Sequence, residues 1–511
     1  MEKLPINYSA NNRRIAQNTF LLYIRMLFNM IVSLYTSRIV LNVLGIEDFG
    51  IYNVVGGIIT MFTFLNSAMA ASTQRFLTFE IGKNRSIHKV FSSSIIIHRV
   101  IALAIFILGE TIGLWFINSQ LNIPDNRMQA ANWVYQCSII ICIINIISLP
   151  YNATIIAYEK MQAFAYISII ETALKLIVIL VLPLFSCDKL PIYTLLLLAV
   201  AIIIRISYTE YCHRTFPETK MKLYKDKQLF KEMTNFASWS LVGNLALIAY
   251  TQGTNILLNI FFGPAINAAR GIALQIQNAI NSFCLNFQTA LNPQITKSFA
   301  TQDISYMHLL IVRSSKFSFY LLLILSLPVL IETNTIIKWW LGSIPEHVSN
   351  FARIILIIGM IDSISNPLII SAQATGKIRA YQITIGGILL CILPISYIAL
   401  NWGAPPESVF IIHLGIACLA QVVRLLIIRP MIGISLRYYF NEVIMKIGSV
   451  FTLSLIVPII LRYILPTTWW SFILICFTCT CSTLLIIYQL GLSKQEKMFI
   501  LQKIQLLNAK L

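Results

Sequence analysis

The sequence predicts an all-α polytopic membrane protein, and its composition, segment lengths and loop charges are the observations behind that prediction. Of its 511 residues, 57% are hydrophobic and 11% are charged, whereas soluble domains carry about 25% charged residues. Apolar segments of about 20 residues, long enough to cross a bilayer, follow one another along nearly the whole chain. The first of them, after Arg13 and Arg14, is too long for a signal peptide and is expected to be retained.

We predict fourteen transmembrane helices with both termini in the cytoplasm. Lysines and arginines gather in alternate loops, which is typical of the cytoplasmic side of a membrane protein. This bias accounts for the net charge of +18, so we expect no nucleic-acid partner. The expected helices are 16–43, 49–79, 88–117, 127–157, 162–185, 190–213, 230–260, 265–296, 306–334, 348–374, 378–400, 407–430, 442–464 and 469–490.

Two distant blocks of sequence recur at one spacing. IVLN, which ends at Asn42, matches ILLN, which ends at Asn259, 217 residues later. Pro150 and Lys160 match Pro367 and Lys377 at the same offset. Because the offset spans six helices, we expect two pseudo-symmetric lobes related as parallel repeats. The expected organisation is a lobe at 1–215, a basic cytoplasmic linker at 216–229, a lobe at 230–435, two helices within 442–490, and an amphipathic cytoplasmic tail at 491–511.

Polar residues form stripes on the first two helices of each lobe. Residues three, four or seven apart share one face of a helix. For any single amide, hydrogen bonding between helices is the alternative explanation, but a hydrated central cavity lined by helices 1, 2, 7 and 8 explains all the stripes together. The candidate cavity residues are Arg25, Asn29, Arg38, Asn66, Arg75, Asn244, Asn255, Arg270, Gln277 and Asn281.

The charges inside the predicted spans are mostly basic, which favours an anionic substrate. A guanidinium group pairs well with phosphate oxygens, and amide side chains suit sugar hydroxyls. Glu110 and Asp362 are candidates for coupling to H+ or Na+, since a buried carboxylate can change its protonation state. Glu171 and Lys175, four residues apart, are expected to form a local ion pair. Four other cations are expected to extend toward the membrane surface: Arg205, Arg313, Lys316 and Arg424.

Helix 1 carries two arginines that a straight helix cannot direct to one face. Arg25 lies on the polar stripe of the helix, whereas Arg38 lies off it. The repeat nevertheless pairs Arg38 with Asn255, which is on a stripe. A bend between the two arginines would reconcile these observations.

No metal or organic cofactor is predicted. Cys476, Cys479 and Cys481 have metal-like spacing, but they lie in an apolar helix without histidine or carboxylate neighbours, so packing is the favoured interpretation. The sequence has no Walker motif, HExxH motif or glycine-rich nucleotide loop.

The stretch RIVLNVLGIEDFGIYN, beginning at Arg38, resembles a signature of a known family. Its LG-x3-FG-x-Y pattern is similar to that near the start of Wzx-type polysaccharide repeat-unit flippases, in the multidrug/oligosaccharidyl-lipid/polysaccharide (MOP) exporter superfamily. Gly45 and Gly50 are expected to permit a tight outer turn. The resemblance implies a MATE-like fold and alternating-access transport of undecaprenyl-diphosphate-linked oligosaccharides across the bacterial inner membrane. It also implies that cavity arginines hold the diphosphate, and that membrane lipids, a polysaccharide polymerase and a chain-length regulator are partners.

Two alternatives stay open. A lipid II-type flippase or a multidrug or cation antiporter would have the same fold, although basic cavity residues count against the antiporter. A membrane-embedded polysaccharide polymerase or glycosyltransferase would generally need a sizeable extramembrane loop with a catalytic constellation, and the longest outer connection here is short. We therefore expect a transporter and not an enzyme.

Overall fold

The computed structural model describes residues 8–60, 63–120, 123–220, 226–342, 344, 346–466, 468–494 and 496–498, which are almost entirely helical and include no strand. The helices, in chain order, are α1 (Tyr8–Thr60), α2 (Thr63–Gly82), α3 (His88–Leu108), α4 (Leu114–Gln120), α5 (Met128–Ala157), α6 (Met161–Val181), α7 (Lys189–Thr215), α8 (Lys227–Phe262), α9 (Pro264–Ala300), α10 (Ile304–Ile331), α11 (Thr333–Leu341), α12 (Val348–Thr375), α13 (Arg379–Leu390), α14 (Ile392–Asn401), α15 (Glu407–Ile432), α16 (Leu436–Tyr439), α17 (Lys446–Ile464) and α18 (Trp469–Ile486).

The predicted all-α membrane fold is confirmed. Twelve segments of the described chain are long and apolar enough to cross a membrane. Helix α9 is not among them although it has 37 residues, because the polar side chains along it lower its hydropathy. The count of fourteen spans therefore stays a prediction.

In each half of the chain, one glycine with positive φ separates the first two helical segments. Gly45 has φ 84° and ψ 169° inside α1, and Gly263, between α8 and α9, has φ 80°. Positive φ strains residues that carry a Cβ, so glycine permits a reversal at both places. The predicted turn at Gly45 is confirmed, while Gly50 lies in helical backbone. Within α1, the backbone departs from helical φ/ψ values at Gly45. It keeps helical values between Arg25 and Arg38, where the bend was predicted.

The ends of α5 and α12 also match at the repeat spacing. Each helix contains a proline, Pro150 in α5 and Pro367 in α12. The chain then reverses through a residue with positive φ, which is Glu159 (59°) in the first case and Gly376 (80°) in the second. These two positions are 217 residues apart, so they share backbone conformation as well as spacing.

The chain forms two compact units. The first unit comprises Met1–Leu245 and Thr296–Gln302, and the second comprises Ala246–Ile295 and Asp303–Leu511. In the first, α5 packs against α2, α3 and α7, and α1 packs against α6. In the second, α12 packs against α10 and α15, and α17 packs against α18.

The predicted lobe boundaries, 1–215 and 230–435, remain predictions. Of the predicted linker at 216–229, the part at 221–225 lies outside the described residues, and so does the predicted tail beyond 498.

Candidate functional site

Arg25 and Asn29 both contact α6 within the first unit. The Arg25 guanidinium lies over the Phe164 ring, 4.4 Å from its centroid. Asn29 donates from Nδ2 to Ser168 Oγ (3.1 Å) and accepts at Oδ1 from Thr172 Oγ1 (2.8 Å). The three α6 residues are four apart and so share one helix face. Two residues of the predicted polar stripe of helix 1 therefore contact α6.

Arg25 has a carboxylate within electrostatic reach, but that carboxylate is shared. Glu171 acts on Arg25 through its charge. Glu171 also forms an ion pair with Lys175 (2.5 Å), as the spacing of four predicted. Two cations thus share the charge of one carboxylate.

Arg75 lies in an aromatic cluster. Its guanidinium carbon is 4.5 Å from the ring centroid of Phe76, 5.0 Å from that of Phe79 and 5.6 Å from that of Phe236. The face of an aromatic ring attracts a cation, so these contacts hold the side chain near the end of α2. A role for Arg75 in binding substrate stays a prediction.

A buried ion pair of the first unit was missed by the sequence analysis. Lys297 donates to the Glu159 carboxylate, and the Glu159 side chain is fully buried. Asn18 donates from Nδ2 to the backbone oxygen of Glu159 (3.3 Å). Glu159 follows the end of α5 in a turn, a place where a single carboxylate gives no periodic signal in the sequence.

Arg270 in the second unit contacts a second predicted cavity residue. Its Nη1 donates to Asn255 Oδ1 (3.2 Å), and its Nη2 donates to the backbone oxygen of Thr251 (3.0 Å). Both acceptors are neutral, and Nε has no hydrogen-bond partner among the described residues. Arg270 is half-buried, so its positive charge is held in position without a compensating carboxylate in the described part of the chain.

Gln277 and Asn281 lie further along α9 and face α12. Gln277 donates from Nε2 to the backbone oxygen of Ile355 (3.1 Å). A Cβ placed on Gly359 would lie 2.9 Å from Gln277 Nε2 and 3.2 Å from Asn281 Oδ1. The absence of a side chain at Gly359 therefore allows both amides to approach the backbone of α12.

Asp362 lies at the middle of α12, near other polar groups of the second unit. Tyr250 is within electrostatic reach of both Asp362 and Arg270, and its ring is 5.2 Å from that of His413. The Asp362 side chain is exposed, and no hydrogen bond or ion pair joins it to another described residue. The buried Arg424 guanidinium lies within electrostatic reach of its carboxylate. A carboxylate at mid-membrane depth is costly unless it is hydrated or protonated, so the position suits the predicted coupling role without testing it.

Glu110, the other predicted coupling residue, lies in a π-helical turn at Gly109–Gly113 in the first unit. Its Oε2 accepts from Gln136 Nε2 (3.1 Å), and its Oε1 is buried without a hydrogen-bond partner among the described residues. The predicted role of Glu110 is likewise untested.

Three predicted cavity residues remain. Asn244 is half-buried on α8. The side chains of Arg38 and Asn66 lie outside the described part of the chain.

The expectation that Arg424 extends to the membrane surface is wrong. Arg424 is buried, and its Nη1 donates to Ser365 Oγ (2.5 Å) and Gln421 Oε1 (2.6 Å). Its Nε donates to Tyr381 Oη (2.9 Å). Three neutral groups, contributed by α12, α13 and α15, thus accept hydrogen bonds from this guanidinium group. Its position toward the end of a helix had been the reason to expect it at the membrane surface.

The same correction applies to Lys316, which is 1% exposed. Its Nζ lies 3.2 Å from Glu496 Oε2, and Arg313 Nε lies 3.3 Å from Glu496 Oε1. A carboxylate that follows α18 therefore pairs with two cations of α10.

Among the described residues, neither a metal-binding cluster nor the cavity of the second unit provides a further polar site. The described residues contain no group of three or more His, Cys, Asp or Glu side chains placed to hold a metal ion. A cavity of about 800 Å³ in the second unit is lined mainly by apolar side chains, with Gln421 and Arg437 among the few polar ones.

Comparison with known proteins places this arrangement in a family. The family model described as "polysaccharide biosynthesis protein" matches residues 15–299, which is more than half of the chain. A curated relative, "uncharacterized membrane protein EpsK" of Bacillus subtilis (strain 168), is 19% identical over 307 residues. That alignment covers 59% of this chain and 58% of the relative, so the chain matches little more than half of the relative's length.

Solved structures show the fold. The outward-facing conformation of a multidrug resistance MATE family transporter of the MOP superfamily matches with a TM-score of 0.72 at 13% identity. A MATE in the bent conformation matches with a TM-score of 0.73 at 12% identity. A MOP superfamily transporter from Pyrococcus furiosus, described as having a binding pocket of reverse polarity, matches with a TM-score of 0.71 at 13% identity. Each match covers 83% of this chain and 96% of the other.

The resemblance found in the sequence is confirmed. The chain is a multi-pass membrane protein with the fold of the MOP superfamily structures, and it belongs to the polysaccharide biosynthesis protein family.

Proposed function

We propose that the protein is an alternating-access flippase that moves undecaprenyl-diphosphate-linked oligosaccharide repeat units across the bacterial inner membrane for surface polysaccharide biosynthesis. The observation that carries the proposal is the half-buried guanidinium of Arg270, which is held by two neutral acceptors. In a medium of low dielectric an uncompensated cation attracts an anion strongly. A lipid-linked diphosphate supplies such an anion.

The groups around the two arginines suit the rest of this substrate. Amide side chains lie beside each cation, Asn29 one turn from Arg25 and Asn255 against Arg270. Amides donate and accept hydrogen bonds, so they can exchange their present partners for sugar hydroxyls. At each arginine, the guanidinium group would bind diphosphate oxygens and the neighbouring amide would contact a sugar.

Several further features belong to the same proposal. We place the chain in the inner membrane with both termini in the cytoplasm, as the loop charges predict. Asp362, with Glu110 as the second candidate, would couple transport to an H+ or Na+ gradient, and no resident cofactor is required. A polysaccharide polymerase and a chain-length regulator would act on the exported units.

Deletion of the gene tests the proposed function. We expect loss of surface glycan together with accumulation of undecaprenyl-diphosphate-linked repeat units, both reversed by the wild-type gene. Normal surface glycan in a deletion strain with no second exporter of this family would overturn the proposal. Accumulation of lipid II in place of repeat units would instead assign the protein to the lipid II-type flippases.

An antiporter of the same fold is the second candidate, and the exposed carboxylate of Asp362 is the observation that favours it. Efflux of a cationic dye by the wild-type protein and not by Asp362→Asn would support that function. Dye retention equal to that of cells without the protein would exclude it.

A further inference from the structure

Two arginines of the first unit lie on helices that both pack against α5. Arg205 of α7 lies over the ring of Tyr151 in α5, with its guanidinium carbon 4.3 Å from the ring centroid. Arg99 of α3 is near enough to act on Arg205 by charge repulsion. Helices α3 and α7 both pack against α5, and Arg205 is the one that contacts Tyr151.

Neither arginine has a carboxylate partner among the described residues. Arg205 Nη1 is buried and has no hydrogen-bond acceptor in that part of the chain. The nearest carboxylate along α7, that of Glu210, is already paired with Arg214 (2.5 Å). Two cations that repel one another in a medium of low dielectric require an anion.

The surface that surrounds the arginines is apolar and exposed. Val100 and Leu103 of α3 are 58% and 59% exposed, and Ile206 of α7 is 60% exposed. Large apolar side chains exposed on a membrane-spanning helix face lipid. The anion for Arg99 and Arg205 is therefore expected to come from the bilayer.

The depth of the Arg205 guanidinium suits a lipid headgroup. Tyr151 precedes the end of α5 by six residues, about 9 Å at helical rise. The Arg205 guanidinium lies over that ring, so it extends toward the same end of the helices. The loop that precedes α3 at this end carries Lys83 and Arg85, and its charge predicts the cytoplasmic side. Long arginine side chains reach the interface in this way.

The second unit shows what occupies the corresponding position there. Lys316 lies 217 residues after Arg99, at the repeat spacing. It is 1% exposed and pairs with the Glu496 carboxylate. The described part of the first unit places no carboxylate over Arg99. The first unit thus carries the cations of this arrangement without the internal anion.

We propose that Arg99 and Arg205 form a binding site for the phosphate of an anionic phospholipid of the bilayer, independent of the transported substrate. The guanidinium groups donate to the phosphate oxygens, and Tyr151 fixes the Arg205 guanidinium by stacking. The acyl chains lie on the apolar surface of α3 and α7. Basic sites between transmembrane helices on the cytoplasmic side recognise lipid headgroups by this chemistry.

Native mass spectrometry of the full-length protein with added phosphatidylglycerol tests the site. We expect the wild-type protein to retain phosphatidylglycerol in preference to phosphatidylcholine, and Arg99→Gln with Arg205→Gln to lower that retention about tenfold. Arg214→Gln is the matched control, because it removes an exposed arginine of α7 that already has a partner, and its retention should equal that of the wild type. Equal retention by the double variant and the wild type would overturn the proposal.

Two further measurements keep the result specific. Arg99→Gln alone changes an exposed side chain, so it should fold normally and still weaken phosphatidylglycerol retention several-fold. Undecaprenyl diphosphate added at equal concentration should leave the phosphatidylglycerol bound. Its displacement from the wild-type protein would assign the arginines to the lipid-linked substrate and contradict the proposal.

Discussion

Arg270 and Lys316 are cations of the same unit, but they have different partners. Lys316 is buried against the Glu496 carboxylate, whereas Arg270 is half-buried and donates to two neutral oxygens. A cation with an internal carboxylate has its charge neutralised when the protein folds. A cation held by neutral acceptors keeps its charge available. Under the proposed function, the difference separates residues that stabilise the fold from residues that bind the anionic substrate.

Arg25 lies between these extremes. It is within reach of the Glu171 charge, but Glu171 is paired with Lys175. Its charge is therefore partly compensated. If the partners of a cation determine its function, its removal should reduce transport most at Arg270, less at Arg25 and not at all at Lys316.

Arg270→Ala should have the largest effect on transport. Loss of charge-assisted hydrogen bonds to the diphosphate removes up to about 3 kcal/mol, or roughly 100-fold in affinity. The measurement is the amount of surface glycan restored to the deletion strain, at matched protein level. Arg270→Lys keeps the charge but loses the planar fork, so we expect partial activity. Full activity in the alanine variant would remove Arg270 from the site.

Glu496→Gln should have the largest effect on stability. Removal of one partner from a buried ion pair costs about 3–5 kcal/mol, because the charges of Lys316 and Arg313 are left uncompensated. The melting temperature in detergent should fall, and undecaprenyl diphosphate affinity per folded molecule should not change. Lys316→Met combined with Glu496→Gln should recover part of the loss. If the affinity for undecaprenyl diphosphate fell while the melting temperature stayed unchanged, Glu496 would be assigned to substrate binding and not to stability.

Arg25→Ala should reduce transport less than Arg270→Ala, by about tenfold, because a single charged hydrogen bond contributes about 1.5 kcal/mol. Glu171→Gln removes the competing carboxylate and should strengthen binding of undecaprenyl diphosphate. Glu210→Gln, at an exposed carboxylate paired with Arg214, is the control. Equal losses from the two arginine variants would show that compensation by Glu171 does not matter.

The smallest expected effect is on the pH dependence of the melting temperature. Burial alone would raise the pKa of Glu496, but hydrogen bonds from Ser493 and the charge of Lys316 lower it below its ordinary value of 4.5. A carboxylate whose folded-state pKa is lowered stabilises the protein above the unfolded-state pKa, and this contribution is lost as pH falls through the folded-state value. The melting temperature should therefore drop below about pH 4.5 more in the wild type than in Glu496→Gln. Melting temperatures that change with pH in the same way in the wild type and in Glu496→Gln would contradict this prediction.

Local features of the fold were predictable from sequence, and long-range partners were not. Helices, the turn at Gly45 and the Glu171–Lys175 pair depend on residues close together in the chain. Periodicity identified the face of helix 1 that carries Arg25, but it could not show that α6 lies against that face.

The errors in the sequence analysis have the same physical origin. Arg424 and Lys316 were assigned to the membrane surface because their acceptors lie elsewhere in the sequence. Tyr381 is 43 residues from Arg424, and Glu496 is 180 residues from Lys316. The contact of Asn255 with Arg270 joins two predicted residues because α8 and α9 are consecutive helices.

Binding of undecaprenyl diphosphate to purified protein tests the role of Arg270 most directly. Titrations in nanodiscs would compare undecaprenyl diphosphate with undecaprenol, which lacks the anion, for the wild type, Arg270→Lys and Arg270→Ala. We expect the wild type to prefer the diphosphate by at least about tenfold, Arg270→Lys to keep part of that preference, and Arg270→Ala to lose most of it. An undiminished preference in Arg270→Ala would contradict the assignment of Arg270 as the cation that holds the substrate.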